Sequence, residues 1–134
     1  MEVTEGRTAR GDREGAIVSN AKVETVRSSS SGTIGRAQSM VRGQRLVLDS
    51  STRPQPDALT NSEAFLAGIS SCGVTLIEQH AQERGVPVKR LEVTIEGVRS
   101  AAAPNRFESI SMHFTIAGVG QADAERLVET YRER

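Results

Sequence analysis

The chain holds one cysteine, Cys72, and it stands among small residues: Gly68, Ser70, Ser71 and Gly73. A thiolate is a strong nucleophile, and a peroxide gives it one oxygen to leave a sulfenic acid. Small neighbours leave room beside the sulfur for a small molecule, and they equally let another backbone approach. A free cysteine in an apolar setting is also a common core residue, so the residue type alone leaves both readings open. His80 and His113 with one thiol lack the short ligand spacing of a zinc site, and no metal is expected. No glycine-rich loop leads from a strand into a helix to cradle phosphate, no Ser-His-Asp arrangement is visible, and no cofactor is expected.

The element that must position Cys72 runs from Thr60 to Gly85. Thr60 and Glu63 have the T-x-x-E spacing of a capping box, in which each side chain satisfies an amide that the first turn leaves open. Gly85 can take the left-handed conformation that ends a helix, and Pro87 cannot continue one. No charge appears from Ala64 to Ile77. At 1.5 Å per residue that run is about 21 Å long, too short and too rich in Ser and Gly to span a bilayer. A helix uncharged on every side is buried on most sides, so this one is expected to be enclosed by the rest of its domain or by a partner subunit. Phe65, Ile69, Cys72, Leu76 and His80 recur at helical spacing and share a face.

Around that helix the chain reads as one domain. Residues 1–15 mix charges with glycines and little apolar content, and a mobile arm is expected there. The domain is expected over residues 16–134. Ala21, Val23 and Thr25 alternate with polar neighbours as in a strand, Ser28 to Gly32 reads as a turn or loop, and Thr33 to Val41 reads as a second strand. Gly43-Gln44 then makes a turn, Arg45 to Asp49 a third strand, and Ser50 to Leu59, with Pro54 and Pro56, a loop leading to the helix cap. Beyond the helix, Leu91, Val93 and Ile95 alternate with polar residues, as do Ile110, Met112, Phe114 and Ile116. These form an antiparallel pair around a loop at Ser100 to Arg106. Ala124, Leu127, Val128 and Tyr131 form the apolar stripe of a second helix. Strands, long helix, two strands and helix make an α+β pattern. Lys plus Arg balance Asp plus Glu at 17 each, which gives no footprint for nucleic acid or an acidic membrane. A single Cys, no signal-peptide pattern and no transmembrane run point to a cytoplasmic protein.

The succession of polar cap, Glu63, apolar run, Gly68, three residues and Cys72, followed by Gly73-Val74 and Arg84-Gly85-Val86-Pro87, resembles the central helix of the OsmC/Ohr family. The strands Arg90 to Gly97 and Phe107 to Ile116, the helix from Ala122, and the upstream strand Val41 to Asp49 resemble the family's order of elements. The resemblance covers roughly Val23 to the C-terminus. It implies an intertwined homodimer with long helices packed centrally and a reactive cysteine near the subunit interface. It further implies a thiol-dependent peroxidase reducing small organic hydroperoxides, with Cys72 as the attacking residue. In the family an Arg from the N-terminal strands faces the thiol and a Glu at the start of the central helix orients it. Glu63 is the candidate Glu, and Arg36 the Arg, with Arg27 and Arg42 as alternatives. Arg36 and Arg42, six positions apart, would face the same side of one regular strand. Glu63 lies nine positions before Cys72; the Ohr branch keeps its Glu ten before, where this chain has Ser62, and other branches keep the nine-residue spacing. The family's peroxidases usually carry a second cysteine just after the second helix. The sequence stops at Tyr131 to Arg134, about where that cysteine would come; either the chain is shortened or the protein lacks the residue, and without it a sulfenate on Cys72 would need an external thiol as reductant or would over-oxidise. The alternative is an OsmC-like dimeric binding or structural domain without a complete redox cycle.

Overall fold

The computed structural model describes residues 21–133. The arm expected at 1–15 lies outside them, as do residues 16–20 of the expected domain. A four-stranded sheet comes first: β1 (Arg27–Ser30), β2 (Arg36–Val41), β3 (Gln44–Asp49) and the short β4 (Leu59–Thr60), in the order β1-β2-β3-β4. The long helix α1 (Asn61–Glu83) follows, then β5 (Arg90–Val98) and β6 (Ser109–Ala117) as an antiparallel pair, and α2 (Gln121–Arg132). The α+β pattern and its succession of elements are as expected from the sequence. No helix of the described residues is long and apolar enough to cross a membrane.

Three local expectations are corrected. Residues 21–26 form no strand; the first strand is Arg27–Ser30, within the serine run that reads as a loop. Its backbone pairs with β2, and Ser28 Oγ meets Ser39 Oγ at 2.7 Å across the ladder. A polar strand can form where a neighbouring strand supplies the hydrogen bonds. The β2–β3 turn sits at Arg42-Gly43, one residue earlier than expected, with φ of +51° and +77°. Two left-handed residues in a two-residue loop give the twist that a hairpin needs. Arg42 is therefore a turn residue and not part of a strand shared with Arg36.

Both ends of α1 are built as the sequence dictates. Thr60 Oγ1 accepts from the Glu63 amide at 3.2 Å, and Glu63 Oε1 accepts from the Thr60 amide at 2.9 Å. At the other end Gly85, at φ +66°, donates to the Gln82 carbonyl and Val86 to that of Ala81, the paired bonds of a Schellman stop. The core lies against the second half of this helix. Ile77, Ala81 and Leu127 are buried, and Val86, Val88, Leu91, Phe114, Ile116 and Tyr131 pack around them.

Enclosure of α1 is one-sided. Gly73, Ile77, His80 and Ala81 are buried beneath β5, β6 and α2, whereas Phe65, Ala67, Gly68, Ser71, Cys72 and Thr75 are exposed. The chain's own elements cover one side of the uncharged run and leave the other open. The two helix glycines divide accordingly. A Cβ on Gly73 would lie 3.3 Å from Met112 Cε and 3.5 Å from Phe114 Cε1, while one on Gly68 would meet nothing within 4 Å. In urea unfolding, Gly73→Leu should cost the chain's own core about 1–3 kcal/mol by overpacking, whereas Gly68→Leu can cost the fold only through a second copy of the chain, since nothing in its own chain lies within 4 Å. A loss at Gly73 under about 0.5 kcal/mol would show that this side of α1 is not tightly packed.

Candidate functional site

Cys72 sits in the middle of α1 on the open side, exposed and free. Its carbonyl accepts from Thr75 Oγ1 at 3.3 Å, an i+3 contact that points the Thr hydroxyl back along the helix. Phe65, seven residues earlier, is on the same side, 55 % exposed and stacked on Phe107 with centroids 6.0 Å apart. His80 leaves this row. At 100° per residue it lies about 80° round the helix from Cys72, enough to turn it inward. There its Nε2 meets Thr130 Oγ1 at 3.2 Å. Thr130 Oγ1 also lies 3.0 Å from the Arg126 carbonyl, and Nδ1 of His80 is buried without a partner. No group of three His, Cys, Asp or Glu side chains able to hold a metal occurs among the described residues.

Arg36 is the centre of a charged cluster away from the thiol. Its Nε and Nη2 donate to the two oxygens of Asp49 at 2.7 and 3.1 Å, and Nη1 and Nη2 donate to those of Asp57 at 3.0 and 2.6 Å. Asp49 is only 1 % exposed and also accepts from the Gln55 amide at 3.3 Å. The Arg36 hydrogen bonds hold the carboxyl of Asp49 below the usual carboxylate range against the opposing effect of burial, and they hold Asp57 low in the same way. The guanidinium is driven above its ordinary value, by Asp57 first and Asp49 second. Registration makes this cluster part of the helix cap: Arg36 is the cross-strand partner of Asp49, and Asp49 is the partner of Thr60. The Glu63 carboxyl is also held low, chiefly by the Thr60 amide and then by the Thr60 hydroxyl. Among the described residues no hydrogen bond joins the Cys72 thiol to Arg36 or Glu63. Arg27 begins the exposed β1, and Arg42 occupies the hairpin turn. Within one chain, the side chains expected to act together form a helix-cap assembly and a separate exposed thiol.

Sequence reasoning does not single out Asp49, Asp57, Arg99 or Phe107. Asp49 becomes visible as a partner only when the hairpin register is known. Arg99 follows β5 and stacks on Phe107, 4.5 Å from the ring centroid, and its Nη2 donates to Ser62 Oγ at 2.5 Å in the first turn of α1. Two open clefts, about 540 Å³ along α1 and β5 and about 630 Å³ between β6 and α2, do not include Cys72 in their walls.

With this geometry in hand, comparison with known proteins assigns the fold. The family model described as OsmC-like protein matches residues 54–134, more than half of the chain. No curated protein matches. Among solved structures, the OsmC like protein from Mycoplasma pneumoniae is 16% identical with a TM-score of 0.73, over 84% of this chain and 82% of that one. A hypothetical protein from Aquifex aeolicus is 18% identical with a TM-score of 0.72, over 85% and 82%. The organic hydroperoxide resistance protein OsmC from Legionella pneumophila is 20% identical with a TM-score of 0.63, over 84% and 83%.

The Arg36 cluster sets the response to acid. Asp49 and Asp57 titrate lower folded than unfolded, so their contribution is present above the unfolded carboxylate range of about 3.9 and is lost as pH falls through the folded values. Arg36→Ala should leave the Asp49 charge buried and unanswered, lowering Tm at pH 7 more than Arg53→Ala does. The difference between Arg36→Ala and wild type should shrink below about pH 4 as the carboxylates protonate. Melting curves followed by circular dichroism from pH 2 to 7 check this; a difference independent of pH would contradict it.

Proposed function

The chain belongs to the OsmC-like protein family, and from that premise we propose that it reduces organic hydroperoxides through Cys72. The observation that carries the reading is the exposed, free thiol in the middle of an uncharged helix side, in the helix that resembles the family's central helix. Similarity of fold to an organic hydroperoxide resistance protein supports it. In this reading the Cys72 thiolate attacks the distal peroxide oxygen, and the O–O bond breaks. The alkoxide leaves with a proton as alcohol, and the sulfur, oxidised by two electrons, becomes a sulfenic acid. A small external thiol condenses with it, releasing water and forming a mixed disulfide, and a second thiol frees Cys72.

A second copy of the chain belongs to this proposal. Within one chain the donors of Arg36 are directed to two carboxylates, and among the described residues no hydrogen bond joins a cation to the thiol. A homodimer burying the open side of α1 would bring the partner's N-terminal strands, with Arg27, Arg36 or Arg42, toward Cys72. In that arrangement Arg36 serves as the candidate cation, and Glu63 fixes the first turn that aims the helix. The commitment of Arg36 to Asp49 and Asp57, together with the single cysteine, favours a second reading, a dimeric binding domain without a redox cycle.

One equivalent of cumene hydroperoxide should convert Cys72 to a sulfenic acid within seconds at pH 7, trapped by dimedone and located by peptide mass. Cys72→Ser should give no adduct. Loss of the adduct in Arg36→Lys, which keeps the charge but not the paired hydrogen bonds, would favour Arg36 over Arg27 and Arg42. A thiol that stays unoxidised at a tenfold excess of peroxide, and unlabelled by iodoacetamide up to about pH 9, would assign the chain to the binding reading.

A further inference from the structure

The turn that carries Cys72 is made of poor helix formers. From Gly68 to Gly73, four of six residues are Gly or Ser, which rank low in helix propensity. Two hydroxyls beside it bend back on the ladder. Ser70 Oγ donates to the Ala67 carbonyl at 3.2 Å and Thr75 Oγ1 to the Cys72 carbonyl at 3.3 Å, and such contacts compete with helix bonds. The capping box and the glycine stop act on the first and last turns of α1. The buried cluster of Ile77, Ala81 and Leu127 begins a full turn beyond Gly73. Helical form at Cys72 therefore depends on what packs behind it.

Behind it stand β6 and α2. A Cβ on Gly73 would lie 3.3 Å from Met112 Cε, 3.5 Å from Phe114 Cε1 and 3.7 Å from Tyr131 Cζ, so three side chains occupy the place that a side chain here would take. Tyr131 joins that packing to the helix itself. Its ring lies tilted on Phe114, with centroids 5.7 Å apart, and its hydroxyl reaches the Ile69 carbonyl at 3.5 Å and Met112 Sδ at 3.7 Å. In an α-helix the Ile69 carbonyl accepts from the Gly73 amide, so Tyr131 touches both residues of that bond. Its ring supplies most of the contact, since both hydroxyl distances are long. The neighbouring Thr130 meets His80 Nε2 at 3.2 Å and fastens α2 to the same helix two turns on. Gly73 is buried, and Cys72 before it is exposed. One turn is thus braced from inside, within a single chain, and presents its sulfur outside.

We propose that Tyr131 is a positioning residue for the Cys72 thiol: its ring, packed at Gly73, holds helical the turn from which the sulfur projects. The bearing of this on peroxide reduction rests on the proposed role of Cys72; the brace itself does not.

The test follows amide exchange by mass spectrometry in the full chain at pH 7, in peptides covering residues 66–76 and 77–84. Tyr131→Leu, which keeps an apolar residue on α2, should speed exchange at 66–76 by about tenfold more than at 77–84. Tyr131→Phe, which keeps the ring, should stay within about twofold of wild type. Gly73→Ala should slow exchange at 66–76 about fivefold more in the Tyr131→Leu protein than in wild type, because the added Cβ fills space the ring has left. In a second arm, one equivalent of cumene hydroperoxide should form the Cys72 sulfenic acid about tenfold more slowly in Tyr131→Leu, since small displacements of a reacting atom cost large factors in rate. Adding Gly73→Ala should recover part of that rate. Equal acceleration in both peptides overturns the proposal, as does an equal effect of Gly73→Ala in both backgrounds or a Tyr131→Phe protein as loose as Tyr131→Leu. An unchanged oxidation rate in a Tyr131→Leu protein whose turn has loosened also overturns it. A wild-type thiol that takes no oxygen from peroxide, with exchange as expected, would uphold the brace and reject the peroxidase reading.

Discussion

A carboxylate buried to 1 % exposure is costly unless its charge is answered, and Asp49 is answered by Arg36 at 2.7 Å. Much of the molecule's order follows from that pair. It crosses from β2 to β3 at one register position, and the same row continues to Thr60, the N-cap of α1. Asp57 extends the cluster into the loop before the cap. Sheet, loop and helix start are therefore fastened at one place, and the position of Cys72, three turns along a capped helix, is inherited from it.

Local chemistry explains what the sequence could reveal. Thr60, Glu63, Gly85 and Pro87 act on their own neighbours, so both ends of α1 were legible. The alternation in β5 and β6 and the stripe of α2 were legible for the same reason: each pattern is imposed by one element's own period. Register was not legible. A turn placed at Gly43-Gln44 sets Arg36 opposite Ser51; the observed turn at Arg42-Gly43 sets it opposite Asp49. A shift of one residue hides the pair. The strand at Arg27–Ser30 was hidden because serine has no apolar face to display, and its existence depends on β2.

The candidate site was legible in part. Cys72 stands out by type and spacing, and its exposure agrees with a reacting thiol more readily than with a core residue. Periodicity groups residues into faces but does not say which face is covered. The uncharged run implied enclosure of Gly68 and Gly73 alike, yet of the two only Gly73 has neighbours in the chain. Arg99 and Phe107 could not be placed by spacing at all, because the loop between β5 and β6 brings them to α1 from more than thirty residues away.

The open side of α1 carries no charge from Ala64 to Ile77 and exposes Phe65, while the apolar residues of the opposite side are already packed. Elsewhere Val26, Ile34, Met40, Leu46 and Leu59 add further exposed apolar surface on the N-terminal sheet and its loops. Apolar surface on this scale in a small domain favours association, and a second copy is the partner that would bring a cation to the thiol. The direct measurement is the mass of the protein in solution by light scattering at micromolar concentration. The proposed arrangement gives twice the chain mass of 14.4 kDa, with Phe65→Glu shifting it toward the single chain. A wild-type mass equal to that of one chain would contradict it.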